Sequence, residues 1–198
     1  MGSLILTMHT SLDGFVATED GQMWPSFGWP PEAQAVVNDL YRDTSAVVYG
    51  RGIFETVVPF WTAIARKGIP DDMPLGEVDL EFARLMEPLP KYVVSHGLEP
   101  AEKAEVISSD VPERVAAIAR EADGHVLLLA GGALAGELAA ARVLDELFLV
   151  VGPIALGRGR PLLDVASPLP TRLLSARELA PSCTVMRYAM VDEFPERG

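Results

Sequence analysis

Three glycine-containing turns each follow a short apolar run, and their residue types suit the binding of a phosphate group. The turns are Gly50-Arg51-Gly52, Ser95-His96-Gly97 and Gly131-Gly132. Glycine has no side chain to keep backbone N–H groups from a phosphate, and a helix that starts at such a turn directs its positive end there. Because ligands of α/β proteins collect at the carboxyl ends of strands, the three turns together predict a groove for a dinucleotide.

Each of these features also has a structural interpretation, which the sequence leaves open. Any of the turns could be a tight connection from strand to helix, and none matches the G-x-G-x-x-G pattern of ordinary dinucleotide-binding domains. The Arg51 guanidinium could grip a phosphate or pair with Glu55 one helical turn away. The Asp13 carboxylate could accept N–H bonds within its own turn or lie on the floor of a substrate cleft.

Composition excludes several classes of function. One cysteine, Cys183, and three well-separated histidines do not make a zinc site, so no metal is expected. The net charge of −12 and the lack of a basic cluster argue against nucleic acid as a partner. The apolar runs are strand-sized, so no membrane partner is expected, and no signal peptide is apparent. These observations predict a cytoplasmic protein. His9 alternates with apolar residues and faces either a cleft or solvent, and no catalytic role is predicted for it.

The elements that must position these turns alternate between strand and helix. Strand-like and helix-like segments follow one another to about residue 151, and two more strands follow near 171–179 and 183–192. This order predicts an α/β fold with a mostly parallel sheet, flanked by helices, and antiparallel strands at its C-terminal end. Residues 1–198 fit a single domain. Residues 66–79 have no long periodic pattern and are expected to form a surface excursion, such as a lid.

Five motifs occur in an order and spacing that resemble a known family. They are Ser11–Ala17 (Ser-Leu-Asp-Gly-Phe-Val-Ala), Tyr49–Glu55, Lys91–Ser95, Gly131–Leu134, and Leu144–Leu147 continued through Pro153–Gly159. Together they resemble the RibD C-terminal family, the riboflavin-biosynthesis reductases of the dihydrofolate-reductase-like superfamily. The resemblance covers nearly the whole chain and implies an NADPH-dependent reductase, usually a homodimer, with a dihydrofolate-reductase-like mixed sheet of eight or nine strands.

The same resemblance implies roles for individual residues. Those implied to bind the cofactor are Gly50, Arg51, Gly52, Gly131, Gly132, Ala133 and Leu134 at the pyrophosphate, Ser95 at the adenosine ribose or its phosphate, and Phe15, Val16 and Ala17 beside the nicotinamide. Asp13 and Trp24 would border the substrate, and Asp13 is the candidate catalytic residue. The implied reaction is hydride transfer to a small heterocyclic or sugar-derived substrate, as in 5-amino-6-(5-phosphoribosylamino)uracil reductase. Its proton would come from water or from Asp13.

The chain also departs from the family pattern. Ile53 stands where threonine is usual, and His96-Gly97 follow Ser95 where arginine or threonine is frequent, so NADH is not excluded as the cofactor. The acids of the first helix, Glu32 and Asp39, do not match the carboxylate of true dihydrofolate reductases, and the zinc signature of the RibD deaminase half is absent. The alternatives are a non-catalytic dimeric protein that binds a nucleotide or another small molecule, and a flavin-using redox protein.

Overall fold

An eight-stranded sheet runs through the centre of the molecule in the computed structural model, which describes residues 2–22, 29–97, 104–179 and 183–194. The strands are β1 (Leu4–Thr10), β2 (Phe15–Ala17), β3 (Thr44–Gly50), β4 (Lys91–Val94), β5 (Ala104–Ile107), β6 (His125–Leu129), β7 (Glu146–Val151), β8 (Arg160–Pro161), β9 (Thr171–Leu179) and β10 (Cys183–Met190). The helices are α1 (Pro31–Arg42), α2 (Arg51–Lys67), α3 (Glu77–Met86), α4 (Val111–Glu121) and α5 (Gly132–Ala140).

The strand order across the main sheet is β5-β4-β3-β6-β1-β7-β10-β9. Neighbouring strands from β5 to β7 in this order are parallel, and β10 is antiparallel to both β7 and β9. Helices connect β3 to β4, β5 to β6 and β6 to β7, as is usual in parallel sheets, whereas the short connection between β9 and β10 permits only antiparallel pairing. The predicted α/β fold, with its antiparallel C-terminal end, is confirmed.

Side chains alternate along the central strands and bury apolar surface on both faces of the sheet. Leu4 and Leu6 of β1 belong to the cluster that packs against α4 and α5. Ile5, between them, belongs to the opposite cluster, which packs against α1, α2 and α3. Strands buried on both faces are typical of parallel sheets with helical connections on each side. The core therefore holds the central strands firmly, and their carboxyl ends are fixed in position.

The chain reverses sharply between α3 and β4, where a buried lysine satisfies the end of the helix. Lys91 Nζ donates hydrogen bonds to the carbonyl oxygens of Met86 (3.0 Å), Glu87 (2.8 Å) and Leu89 (2.8 Å). The last carbonyls of a helix have no partner within the helix, and a cation is favoured beside them. The segment predicted as a surface excursion is shorter than expected, because α2 continues to Lys67 and α3 begins at Glu77.

Candidate functional site

The carboxyl ends of β4, β3 and β6 lie side by side because these parallel strands are neighbours in the sheet. They carry the three glycine-containing turns, and contacts run from one turn to the next. A Cβ atom built on Gly97 would lie 3.7 Å from Nη1 of Arg51. A Cβ atom built on Gly50 would lie 3.5 Å from Cβ of Ala130 and 3.8 Å from Cδ2 of Leu134. The turns form one continuous rim along this edge of the sheet.

Helices α2 and α5 begin at this rim without a capping side chain. Helix α2 follows β3 and packs on one face of the sheet through Phe54, whereas α5 follows β6 and packs on the other face through Leu138. Since β3 and β6 are adjacent, we expect a crevice where the two connections diverge, which is the usual ligand site of such sheets. The N-cap residues are Gly50 and Gly131, and neither first turn contains an acidic residue.

The distribution of acidic residues sets these two helices apart. The first turns of α1, α3 and α4 each contain at least one, namely Glu32, Glu77 with Asp79, and Glu113. In a chain of net charge −12, the first turns of both helices at the rim are thus without an acidic residue. Unpaired N–H groups and the positive ends of two helix dipoles together suit a ligand with negative charge.

The two glycines at the start of α5 are required by the protein's own packing. A Cβ atom on Gly131 would lie 2.8 Å from Cγ2 of Val16, and Gly132 has a φ of 55°, in the left-handed region. The Gly132 N–H donates to the carbonyl oxygen of Leu162 at 3.1 Å. This amide is therefore already hydrogen-bonded within the protein, and the contact of Gly131 and Gly132 with a phosphate stays a prediction. Among the described residues, the amides of Ala133 and Leu134 have no partner outside their own helix.

The segment Phe15–Ala17 lies against the start of α5, where the resemblance places the nicotinamide. As strand β2 it pairs antiparallel with β8 in a separate two-stranded sheet. The close approach of β2 to the segment that leads into β8 depends on Gly159, because a Cβ atom at that residue would lie 2.3 Å from the carbonyl oxygen of Ala17. The small sheet therefore forms a wall beside the crevice, and the contact of Phe15, Val16 and Ala17 with a cofactor stays a prediction.

The Asp13 carboxylate joins two loops at the same edge. It accepts backbone N–H bonds from Gly157 (2.7 Å) and Leu156 (3.1 Å), in the loop that follows β7. A hydrogen bond from the Ser11 side chain, followed by the bond from Gly157, lowers the pKa of Asp13 to about 2. The carboxylate is ionised throughout the neutral range, which suits a brace between loops and not a donor of protons.

Ser95 and Arg51 meet at the far end of the rim. Ser95 is buried, and its Oγ accepts the N–H of Gly97 at 3.3 Å. Arg51 forms an ion pair with Glu55, with 3.0 Å between Nε and Oε1. The structure thus contains the pairing that the sequence offered as the alternative to a phosphate contact. Exposed ion pairs of this kind are weak, and the guanidinium also lies beside Gly97. Because this ion pair is weak, the Arg51 guanidinium could leave Glu55 and bind a phosphate instead.

Strand β1 stops pairing with β6 several residues before it stops pairing with β7. It pairs with β6 as far as Leu6 but with β7 as far as Thr10. The carbonyl oxygen of Thr10 accepts the N–H of Gly152 on the β7 side. Because successive residues of a strand direct their backbone groups to opposite sides, His9 directs its N–H and C=O to the side that β6 has left. A notch in the sheet therefore separates the end of β1 from the turn at Gly131.

The His9 side chain lies beside this notch, under the residue that leads into α1. Its ring and the indole of Trp29 have centroids 4.1 Å apart, with an angle of 37° between their planes. The Nε2 atom is buried and has no hydrogen-bond partner among the described residues. Burial lowers the pKa of His9 to about 4, so the imidazole is neutral at pH 7. Strand alternation places His9 on one face of the sheet, but it could not reveal the missing partner.

The other predictions concern absences or undescribed positions. Trp24, predicted to border the substrate, lies outside the described residues. Within the described parts of the chain, no cluster of three or more histidine, cysteine or acidic side chains is arranged to hold a metal ion. None of the helices in those parts is both long enough and apolar enough to span a membrane.

Comparison with known proteins agrees with this geometry. The family model described as the RibD C-terminal domain matches residues 3–185. The chain belongs to the RibD C-terminal domain family. The matched range includes the motifs at the rim, so the resemblance seen in the sequence is confirmed.

Solved structures share the fold at low sequence identity. A Shewanella sp. PV-4 protein named for riboflavin biosynthesis is 20% identical, with a TM-score of 0.71 over 97% of this chain and 100% of that chain. The Thermotoga maritima diaminohydroxyphosphoribosylaminopyrimidine deaminase/5-amino-6-(5-phosphoribosylamino)uracil reductase is 20% identical (TM-score 0.64), and the match covers 96% of this chain but 57% of that one. Enterococcus faecalis dihydrofolate reductase, complexed with NADP(H), is 15% identical (TM-score 0.64; 96% and 98% covered). The chain thus shares its fold with these proteins.

Replacement of Asp13 by asparagine tests whether this carboxylate braces the loops or transfers a proton. We expect Asp13→Asn to lower kcat by about tenfold, because loosened walls misplace the reacting groups, with less effect on cofactor affinity. The kcat–pH profile should keep its shape, since the wild-type carboxylate stays ionised. Loss of a limb of that profile in the variant would instead assign the proton transfer to Asp13, and an unchanged kcat would remove it from the mechanism.

The lowered pKa of His9 predicts a pH dependence of stability. In the unfolded chain the imidazole takes up a proton near its ordinary pKa of 6.5, but in the folded protein only near 4. The unfolded state therefore binds more protons in this window, and the free energy of unfolding falls as the pH falls from 6.5 towards 4. His9→Leu should flatten this part of the curve in urea titrations at a series of pH values. Every other ionisable group is common to both proteins, so parallel curves would contradict the prediction.

Proposed function

We propose that this protein is an NADPH-dependent oxidoreductase that transfers a hydride to a small heterocyclic or sugar-derived substrate. The observation that supports it best is that helices α2 and α5, which have no acidic residue in their first turns, both begin at the ends of the adjacent strands β3 and β6. Family membership and the reductase-like scaffold agree with this chemistry. The name of the Thermotoga maritima neighbour suggests the substrate class, a uracil with an amino group and a phosphoribosylamino substituent.

The residues at the rim fit a dinucleotide. Space is open over the first turn of α2, because a Cβ atom on Gly52 would meet nothing within 4 Å. We propose that the pyrophosphate binds between this turn, with Gly50 and Arg51, and the amides of Ala133 and Leu134. Ser95 would lie at the adenosine ribose, and Phe15, Val16 and Ala17 beside the nicotinamide. When bound, NADPH supplies the hydride, and the protein supplies position and the exclusion of water.

The proton of the reduction comes, in this proposal, from water. Asp13 is ionised at neutral pH by its hydrogen bonds, so its part is to hold the loop after β1 against the loop after β7. That brace fixes the wall formed by β2 and β8 on one side of the crevice. Asp13 and Trp24 remain the residues proposed to border the substrate.

Cofactor binding is the first experiment, and the tryptophans provide the signal. We expect NADPH to quench the tryptophan emission in a saturable way. NADH, which lacks the 2′-phosphate, shows whether that group contributes to binding, and FMN tests the alternative of a flavin-using protein. Oxidation of NADPH in the presence of 5-amino-6-(5-phosphoribosylamino)uracil then tests the substrate class. NADPH binding without turnover of any substrate would favour the non-catalytic binding protein, and no binding at millimolar NADPH would reject the reductase.

Replacement of Gly52 by aspartate separates helix capping from cofactor binding. An acidic residue in the first turn of a helix stabilises it, so the melting temperature of Gly52→Asp should equal or exceed that of the wild type. The added charge would repel a pyrophosphate, and the Kd for NADPH should rise roughly tenfold or more. Gly52→Ala is the matched control without the charge. An unchanged Kd in the aspartate variant would place the cofactor elsewhere.

We also infer a cytoplasmic homodimer that associates through β9. This strand is at the edge of the main sheet, almost wholly exposed, and carries Leu173 (52% exposed) and Leu174 (43%). Long exposed edge strands with apolar residues pair readily with another chain. Leu173→Lys with Leu174→Lys should reduce the mass measured by light scattering from twice the chain mass to that of one chain. Phe60→Ser, at an exposed residue outside β9, is the control, and a wild-type monomer would refute the inference.

A further inference from the structure

We propose that Nε2 of His9 makes a hydrogen bond to the polar edge of the flat heterocycle that this site reduces, with Trp29 covering the imidazole. The proposal deepens the proposed function, on which it rests, and assigns a specificity-determining residue to it. The ligand class is a planar, uncharged heterocycle whose edge offers an N–H or a C=O group.

The position of His9 in β1 brings both its backbone and its side chain to the crevice. Its backbone groups face the notch that opens where β6 stops pairing, after Leu6. Its side chain lies on the face of the sheet covered by α1 and α2, opposite Val150 of β7 in the strand register. A ligand in the notch is therefore adjacent to the imidazole on one side and to the cofactor rim on the other.

The unpaired nitrogen is the observation that points to a ligand. A buried polar atom without a hydrogen bond destabilises the folded protein, and the great majority of such atoms have partners. The ring contact with Trp29 holds the imidazole in place but cannot satisfy Nε2. A histidine that lies at a crevice and has an unsatisfied nitrogen is explained when a bound molecule provides the missing group.

Two other buried polar atoms show why the location matters. The hydroxyl groups of Tyr41 and Tyr49 are also buried, but they interact with each other: burial, and then the neighbouring Tyr49 hydroxyl, raises the pKa of Tyr41. These side chains are 2% and 0% exposed, deep between α1 and β3, where no ligand can reach them. His9 is more exposed than either and stands next to the last residue of β1, at the open end of the strand. Its neutral form at pH 7, which follows from its lowered pKa, suits an uncharged partner.

The first test is direct observation of the ring nitrogens by NMR with 15N-labelled protein. The chain has three histidines, so few signals need assignment, and His9→Gln identifies those of His9. The probe is 5,6-diaminouracil, a flat pyrimidine with N–H and C=O groups along its edge. We expect the Nε2 resonance of His9 to move on addition of the probe. The resonances of His125, at the opposite end of the sheet, should not move. A His9 signal that stays still at millimolar probe overturns the inference.

The second test compares an apolar and a polar replacement. His9→Leu removes the nitrogen, and we expect the Kd for 5,6-diaminouracil to rise about tenfold, while the Kd for NADPH changes less than about twofold. His9→Gln keeps a polar atom at a similar distance from the backbone and should bind the probe within about threefold of the wild type. Because an unpaired buried atom is removed, the melting temperature of His9→Leu should equal or exceed that of the wild type. A merely structural histidine would instead lower it and leave probe binding unchanged.

Failure of this inference can be told apart from failure of the proposed function. If the wild type binds NADPH and His9→Leu binds the probe as the wild type does, the role of His9 is refuted and the reductase stands. If the wild type does not bind NADPH but the His9 resonance moves with the pyrimidine, the contact stands and the reductase is refuted. If His9→Leu does not fold, the NMR titration of the wild type and the binding of the probe by His9→Gln decide the question.

Discussion

The helices α2 and α5 begin at the ends of adjacent parallel strands with no side chain to bond their first N–H groups. An uncapped helix end destabilises the folded protein, because its first N–H groups lack acceptors. Gly50 and Gly131 have no side-chain acceptor to offer, and neither first turn contains a carboxylate. The sheet directs both ends to one crevice, since β3 and β6 are neighbours and their helices leave to opposite faces. An anionic ligand would supply the missing acceptors.

The walls of this crevice are held by contacts between segments far apart in the chain. The Asp13 carboxylate binds backbone amides at Leu156 and Gly157, and β2 pairs with β8 through the space that Gly159 leaves. At the other end of the sheet, Asp145 accepts the N–H of Leu4 at 2.8 Å and ties the start of β1 to β7. Both aspartates belong to sequence motifs that carry the resemblance to the family. Their carboxylates fix strand ends, so these motifs describe architecture as much as chemistry.

The sequence predicted the alternation of strand and helix well enough to place three turns on one edge, because that alternation forces parallel pairing. It did not reveal that one of them is also required by packing. Gly131 and Gly132 look like residues that admit a phosphate, yet Val16 and Leu162 already require that turn. Those partners come from chain segments that no local pattern connects. The notch beside β1 was equally hidden, because it depends on how far two strands stay in register, which packing decides.

The unpaired polar groups nearest to solvent are gathered at one edge of the molecule, and this bears on stability. The core clusters on both faces are apolar, and the buried Lys91 is fully engaged with carbonyl oxygens. In contrast, the first-turn amides of Ala133 and Leu134 and the Nε2 atom of His9 have no partner among the described residues outside their own elements. A protein selected only for stability would have acidic residues in the first turns of α2 and α5, as α1, α3 and α4 have, and an apolar residue in place of His9. Because ligand binding lowers the free energy of the folded state alone, groups left unpaired in the free protein become stabilising when the crevice is filled. If the proposed ligand binds there, the same atoms reduce the stability of the empty protein and contribute to the affinity for that ligand.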